Sequence, residues 1–330
     1  MVERGNPRVG PVQTEVDRRV GSVEVLAGLL VVVLLARGPL DAVLGTPIVQ
    51  TWTTVFVSVV LQAVPFLVFG VTLSAAIAVF VPREFFAKAL PKHPALAVPA
   101  AAATGMVLPG CECGSVPVAG ALVRKGITPA AALAFLLAAP ALNPVVLAAT
   151  AIAFPDRPSM VFARAAAGLA ASVVMGWLWL GLGRTEWIKL PDHSPGGPRW
   201  RAFTGAAGHD LVHAGGFLVV GALAAATLNV LIPGRWLQAV ADDPVLSVLA
   251  LAVLAVLLSI CSEADAFVAA SLTQFSLTAR LAFLVVGPMV DLKLFAMQAG
   301  TFGRRFAVRF APATFVVALG CAAVTGTVLW

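Results

Sequence analysis

The stretch Leu108-Pro-Gly-Cys-Glu-Cys-Gly-Ser-Val-Pro117 decides how the rest of this chain is read. It sets two thiols and a carboxylate among Pro109, Gly110, Gly114 and Pro117, between flanks that are almost wholly apolar (Ala95 to Met106, Val118 to Val123). Proline withholds a backbone donor and breaks helix, and glycine permits dihedrals closed to other residues. In a bilayer, broken backbone is tolerated only when buried in protein or lining a cavity. An ionisable group at that depth is costly and marks a pathway or a site. The bland alternative is a kinked helix with two small buried thiols.

Working outward, the 330 residues are 60% hydrophobic and 12% charged, with mean hydropathy +0.96. Soluble domains carry about 25% charged residues. Apolar windows lie near 21–36, 52–81, 95–122, 128–154, 159–183, 209–233, 244–272, 279–302 and 310–330. Several exceed the ~20 residues a spanning helix needs. The fold class is therefore an all-α polytopic membrane protein. The run Val23 to Ala36 imitates a signal-peptide core, but it ends in Arg37-Gly-Pro with no small-residue cleavage pattern, so a retained first helix is expected.

The net charge of +6 does not point to nucleic acid, because the basic residues fall in short loops and form no stripe interleaved with aromatics. Cys111, Cys113, Cys261 and Cys321 all lie in apolar segments, which fits neither a secreted disulfide framework nor a zinc spacing. Cys321 reads as a small core residue. No cofactor or resident metal is expected.

The chain repeats itself around a Pro-, Gly- and charge-rich linker. Phe66-Leu-Val-Phe-Gly70 returns as Phe217-Leu-Val-Val-Gly221 and Pro82 as Pro233, at an offset of 151. Leu133-Ala-Phe-Leu136 returns as Leu281-Ala-Phe-Leu284 at an offset of 148, which also sets Pro140 on Pro288, Cys113 on Cys261 and Asn143 on Asp291. The expected organisation is a disordered tail (1–20), an extra N-terminal transmembrane helix and loop (21–51), a first repeat (52–183), a cytoplasmic linker (184–208) and a second repeat (209–330).

Loop charge bears on how the repeats are related. If segments 95–122 and 244–272 are re-entrant hairpins and the N-terminus is cytoplasmic, 16 basic residues lie inside and 5 outside, with Lys293 in the membrane. If both segments cross fully, the split falls to 13 against 8. The positive-inside rule favours the hairpins. Two inverted repeats whose broken helices meet at the midplane follow, an arrangement common among secondary transporters.

The second motif, Ser259-Ile-Cys-Ser-Glu-Ala-Asp-Ala-Phe267, adds Cys261, Glu263 and Asp265. With Lys293 as the cation nearby, one acid is expected to be protonated or solvated, which makes Glu263 or Asp265 a candidate proton carrier. Asp291 and Lys293 share one apolar segment, and Asn143 is expected to face Asp291 across a pseudo-twofold axis. For Asn143, interhelical glue and a functional role are equally good readings. His209 and His213 have an i, i+4 metal spacing, but an interfacial location is the commoner fate. Arg164 is expected to snorkel. Trp177, Trp179, Trp187, Trp200 and Trp236 are expected to anchor at the interface.

At Pro109-Gly-Cys-Glu-Cys-Gly-Ser-Val-Pro117, Ala138-Ala-Pro-Ala-Leu-Asn-Pro-Val-Val146, Cys261-Ser-Glu-Ala-Asp-Ala-Phe-Val-Ala-Ala-Ser271 and Gly287-Pro-Met-Val-Asp-Leu-Lys293, the chain resembles a predicted permease family. That family includes the organoarsenical efflux permease ArsP and the YraQ proteins. The resemblance implies a permease of the bacterial inner membrane. Some relatives carry Ser where this chain has Glu112, a departure that adds negative charge beside the thiols.

Trivalent arsenic is soft and prefers thiolates. Cys111, Cys113 and, through the repeat, Cys261 would supply them. The expected substrate contacts are Cys111, Glu112, Cys113, Asn143, Cys261 and Glu263. Glu263, Asp265, Asp291 and Lys293 are expected to couple protons or pair as ions. No phosphate-cradling loop is present to power transport directly. The leading function is a secondary transporter of a small soft solute or soft metalloid, not an enzyme. The alternative is a membrane thiol-disulfide oxidoreductase using Cys111 and Cys113, and a third reading is a non-transporting subunit that recruits a partner. The sequence leaves the oligomeric state open, a homo-oligomer included.

Overall fold

A computed structural model describes residues 46–82, 91, 93–106, 112–189, 198–231 and 243–330. The expected tail and most of the first helix and its loop, together with Pro109, Gly110, Cys111 and Trp236, lie outside the described residues. The chain divides into two units, Met1–Gln50 and Thr51–Trp330, and apart from the first residues of one helix the second holds everything discussed below.

Among the described residues every regular element is helical. In chain order they are α1 (Pro47–Phe80), α2 (Pro94–Gly105), α3 (Glu112–Arg124), α4 (Pro129–Leu142), α5 (Pro144–Ala153) and α6 (Ser159–Leu182). After a short turn of tighter helix at Thr185–Trp187 come α7 (Arg199–Leu231), α8 (Pro244–Leu258), α9 (Asp265–Ser271), α10 (Leu277–Val286), α11 (Leu292–Phe302) and α12 (Arg304–Leu329). Five spans among them are long and apolar enough to cross a membrane: Pro47–Phe80, Pro129–Ala153, Ser159–Leu182, Arg199–Leu228 and Arg304–Leu329.

Sequence sets the boundaries by simple chemistry. Proline opens α2, α4, α5 and α8, where its missing N–H leaves no intrahelical bond unmade. Side-chain oxygens cap four N-termini: Asn143 accepts from Val146 N, Asp243 from Val245 N and Leu246 N, Ser276 from Ala279 N, and Asp291 from Leu294 N. Asn143 and Asp291, expected to correspond, thus do the same local job at their respective helix breaks. α7 takes in residues 199–208, which composition had assigned to the linker. A helix that projects beyond the apolar zone has no reason to be apolar there.

Contacts between helix ends sort the bundle. At one end, Phe80 meets Phe203 at 5.8 Å, and Lys125 Nζ donates to Val81 O over 2.7 Å. Trp177 Nε1 donates to Ala95 O, Trp179 packs on Phe306 and Phe310, and Lys189 N donates to Phe302 O. At the other end, Trp52 Nε1 donates to Thr227 Oγ1, and Gly326 lies against Thr278. Trp179, expected as an interface anchor, is buried among aromatic rings instead.

Two glycines of the repeated Phe-Leu-Val-x-Gly motif make close crossings. A Cβ on Gly70 would run into the backbone of Gly114 in α3, and one on Gly221 into the backbone of Lys293 in α11. Gly70→Val should therefore push α1 off α3, at a cost of about 1–3 kcal/mol for overpacking. Gly216, exposed with nothing near its Cβ position, is the control. Gly216→Ala should leave stability level or raise it by up to ~1 kcal/mol. Thermal unfolding of both variants in detergent checks the difference.

Candidate functional site

Each broken segment brings its polar residues to the centre of the bundle. α3 begins at Glu112, so the carboxylate sits on a helix N-terminus, where negative charge is favoured. Glu112 is 1% exposed and Cys113 is fully buried. Pro117, inside α3, cannot donate to the Cys113 carbonyl. On the other side, α8 stops at Ser259, which adopts a left-handed conformation (φ 48°) rare for a residue with a side chain. Its hydroxyl accepts from Leu292 N over 3.1 Å, tying the break after α8 to the start of α11.

These ends meet at Lys293. Its ammonium lies 2.5 Å from Glu112 Oε1, 3.6 Å from Asp291 Oδ2 and 4.0 Å from Cys261 Sγ. Ser262 Oγ donates to Glu112 Oε2 over 3.5 Å. Cys113 also lies within electrostatic reach of Lys293. Asp291 divides its carboxylate: Oδ1 caps α11 at 2.6 Å, while Oδ2 faces Lys293 without a hydrogen bond.

A second ion pair stands beside the first. Arg164 of α6 is 1% exposed, and its Nη2 lies 3.0 Å from Asp265 Oδ2. The same nitrogen donates to the Ser262 carbonyl over 3.1 Å, and Nη1 donates to Thr150 Oγ1 over 2.8 Å. The expected snorkelling of Arg164 is thus corrected. Its guanidinium turns inward because Asp265, buried at 2% exposure, needs a cation there. Lys293 is not the only cation near the acids of the second break. Reading α6 alone could not reveal this; an intramembrane acid without a partner nearby in sequence was the available signal.

The two pairs are reciprocal. Glu112 from the first broken segment meets Lys293, and Asp265 from the second meets Arg164. Ser262 touches both pairs, through its hydroxyl and its carbonyl. Among the described residues, three fully buried carboxylates (Glu112, Asp265, Asp291) face two fully buried cations (Arg164, Lys293), an excess of one acid.

The other expected site residues fall as follows. Cys261 borders Lys293, and Cys111 lies outside the described residues. Glu263 is half-buried, within electrostatic reach of Glu112, Lys293 and Arg164. Asn143 is buried, and at the α4–α5 junction it accepts from Val146 N and donates to Ala139 O. His209 and His213 lie apart from the centre, on α7 near the Arg124 end of α3. Among the described residues no group of three His, Cys, Asp or Glu side chains is placed to hold a metal.

Comparison with known proteins agrees with a multi-pass membrane protein. Residues 49–327 match the family described as predicted permease. The chain is 37% identical over 276 residues to the UPF0718 protein YcgR of Bacillus subtilis, covering 81% of this chain and 93% of that one. It is 33% identical over 267 residues to a putative two-component membrane permease complex subunit of Streptococcus mutans, covering 78% and 88%. No solved structure matches. With nearly its whole described length matched, the chain belongs to the predicted permease family.

Proposed function

We propose that this multi-pass membrane permease is a secondary transporter of a small thiol-seeking solute, with the Glu112–Lys293 pair at the centre of its path. The observation that carries the proposal is that ion pair, buried at 2.5 Å between the two broken segments and bordered by two thiols. Charge at membrane depth is expensive, and an assembly scaffold has no use for it. A redox enzyme would need a partner site for its thiols, whereas Cys261 borders the Lys293 ammonium and Cys113 lies within its electrostatic reach.

The end contacts support two inverted, re-entrant halves. α2 runs beside α4 with Gly105 against Ala139, and α3 returns to Val81, so segment 94–124 starts and finishes at one end. α8 lies alongside α10 with Gly287 against Ala255, so segment 244–271 starts and finishes at the other. Repeats over 52–183 and 209–330 fit that inversion. Arg124, Lys125, Arg184, Lys189, Arg304 and Arg305 gather at the first end, and by the positive-inside rule we read that end as the cytoplasmic face of a bacterial inner membrane. With the expected first helix (21–51) crossing once before α1, the N-terminus is cytoplasmic in this reading.

A monomethyl arsenic(III) dihydroxide has the matching chemistry. Two thiols among Cys111, Cys113 and Cys261 replace its two hydroxides; each thiol proton leaves with a hydroxide as water. Release reverses this, with two waters returning the protons to sulfur. In this reading Glu112 and Glu263 relay each proton from sulfur to the departing hydroxide and back on release, and the excess buried carboxylate favours an accompanying proton on the Asp265 or Asp291 side. In proteoliposomes, Cys113→Ser and Cys261→Ser should each lower methylarsenite flux at least tenfold while leaving the protein folded. Unchanged flux of methylarsenite and of other soft solutes in both variants removes the thiol mechanism.

The Streptococcus mutans relative's description as a complex subunit favours a second reading, in which this chain transports only together with another subunit. A stoichiometric partner on purification from the native membrane, with no flux by the chain alone, decides for it.

A further inference from the structure

At the basic end of the bundle an open cleft is lined by Pro117 and Arg124 of α3, by His209, Asp210, His213 and Ala214 of α7, and by Thr301 of α11. The same three helices reach the central ion pair, α7 through Gly221 packed on Lys293. At ~1.5 Å rise per residue, Pro117 is about 8 Å along α3 from Glu112. Thr301 is about 12 Å along α11 from Lys293, and Ala214 about 10 Å along α7 from Gly221, the glycine pressed on the Lys293 backbone. Three helices therefore lead from the cleft to one ion pair. The residues nearest the interior, Pro117 and Ala214, are small and buried.

Polar contacts close the outer part of this cleft. Arg124 Nη2 lies 3.7 Å from Asp210 Oδ2, which also accepts from Ser74 Oγ of α1 at 3.3 Å. Asp210 thus gathers α1, α3 and α7. His209 Nδ1 lies 3.6 Å from Asp210 Oδ1, and its ring stacks on His213 at 5.9 Å. His213 Nε2 donates to the Gly300 carbonyl of α11 over 3.1 Å. Every helix lining the cleft is held to another at this level, and α3 is clasped to the second half at both tips, by Lys293 and by Asp210.

We propose that the cleft is the mouth of the route to Glu112 and Lys293, and that the Arg124–Asp210 pair is the bar across it. This rests on the permease reading but not on the identity of the cargo. Breaking the pair frees the outer tip of α3 from α7, while Lys125 keeps that tip on Val81 and Glu112 stays engaged, so the route opens between α3 and α7 at this end only. The pair is well suited to the task, since partly exposed ion pairs are weak enough to break and reform.

The test is labelling of Ala214→Cys, a position behind the bar, by a membrane-impermeant maleimide in membrane vesicles of either orientation. Labelling of the chain without Ala214→Cys is subtracted. Asp210→Asn should raise the rate about fivefold in vesicles exposing the basic end, with no change in the other orientation. The swap Arg124→Asp with Asp210→Arg should return the rate toward that of the parent. A rate unaltered by Asp210→Asn, or raised equally from both faces, overturns the proposal. Labelling needs no transported solute, so loss of the arsenical reading in the flux assay leaves this result standing, and the reverse also holds.

Discussion

Lys293→Met should abolish transport and lower the stability of the protein by about 3–5 kcal/mol, the usual effect of leaving buried charges without their partner. The cause is specific to this site. Lys293 lies between Glu112 at 2.5 Å and Asp291 at 3.6 Å, so its removal strands two carboxylates together. The excess of buried acid among the described residues rises from one to two. The companion variant separates folding from function. Glu112→Gln with Lys293→Met removes both charges and should recover most of the lost stability without recovering flux. Heating detergent-solubilised protein and measuring the monodisperse fraction gives the first quantity, and proteoliposome flux gives the second. A single variant as stable as the parent would mean that water already screens the pair.

Much of this centre was legible because membranes make polar residues conspicuous. Glu112, Asp265, Asp291 and Lys293 stand out in apolar sequence, and each is at most 2% exposed. Asn143 and Asp291, which one offset sets together, each cap a helix. What escaped were properties belonging to pairs of distant elements. Arg164 looked like a residue able to reach water because α6 was read alone; its partner Asp265 stands 101 residues away. Trp179 looked like an interface anchor, yet Phe306 and Phe310 enclose it. The start of α7 at Arg199 was hidden for another reason, because hydropathy reports the apolar part of a helix and not its polar extension.

Arg164 gives the second large effect, and its variants distinguish a clasp from a moving charge. Arg164→Leu leaves Asp265 buried with no cation and removes the donor to the Ser262 carbonyl and to Thr150 Oγ1, so a loss of about 3–5 kcal/mol is expected. Arg164→Leu with Asp265→Leu should restore most of that loss, since an apolar pair can replace a buried ion pair at little cost. Arg164→Lys is the informative variant. It keeps the charge but loses the planar fork that serves Asp265, Ser262 and Thr150 at once. About 1–2 kcal/mol should go with the missing hydrogen bonds. Because Ser262 also donates to Glu112, the lysine variant should weaken flux even where the fold survives. If Arg164→Lys transports as well as the parent, Arg164 only holds α6 to α9, and the two ion pairs do not act through Ser262.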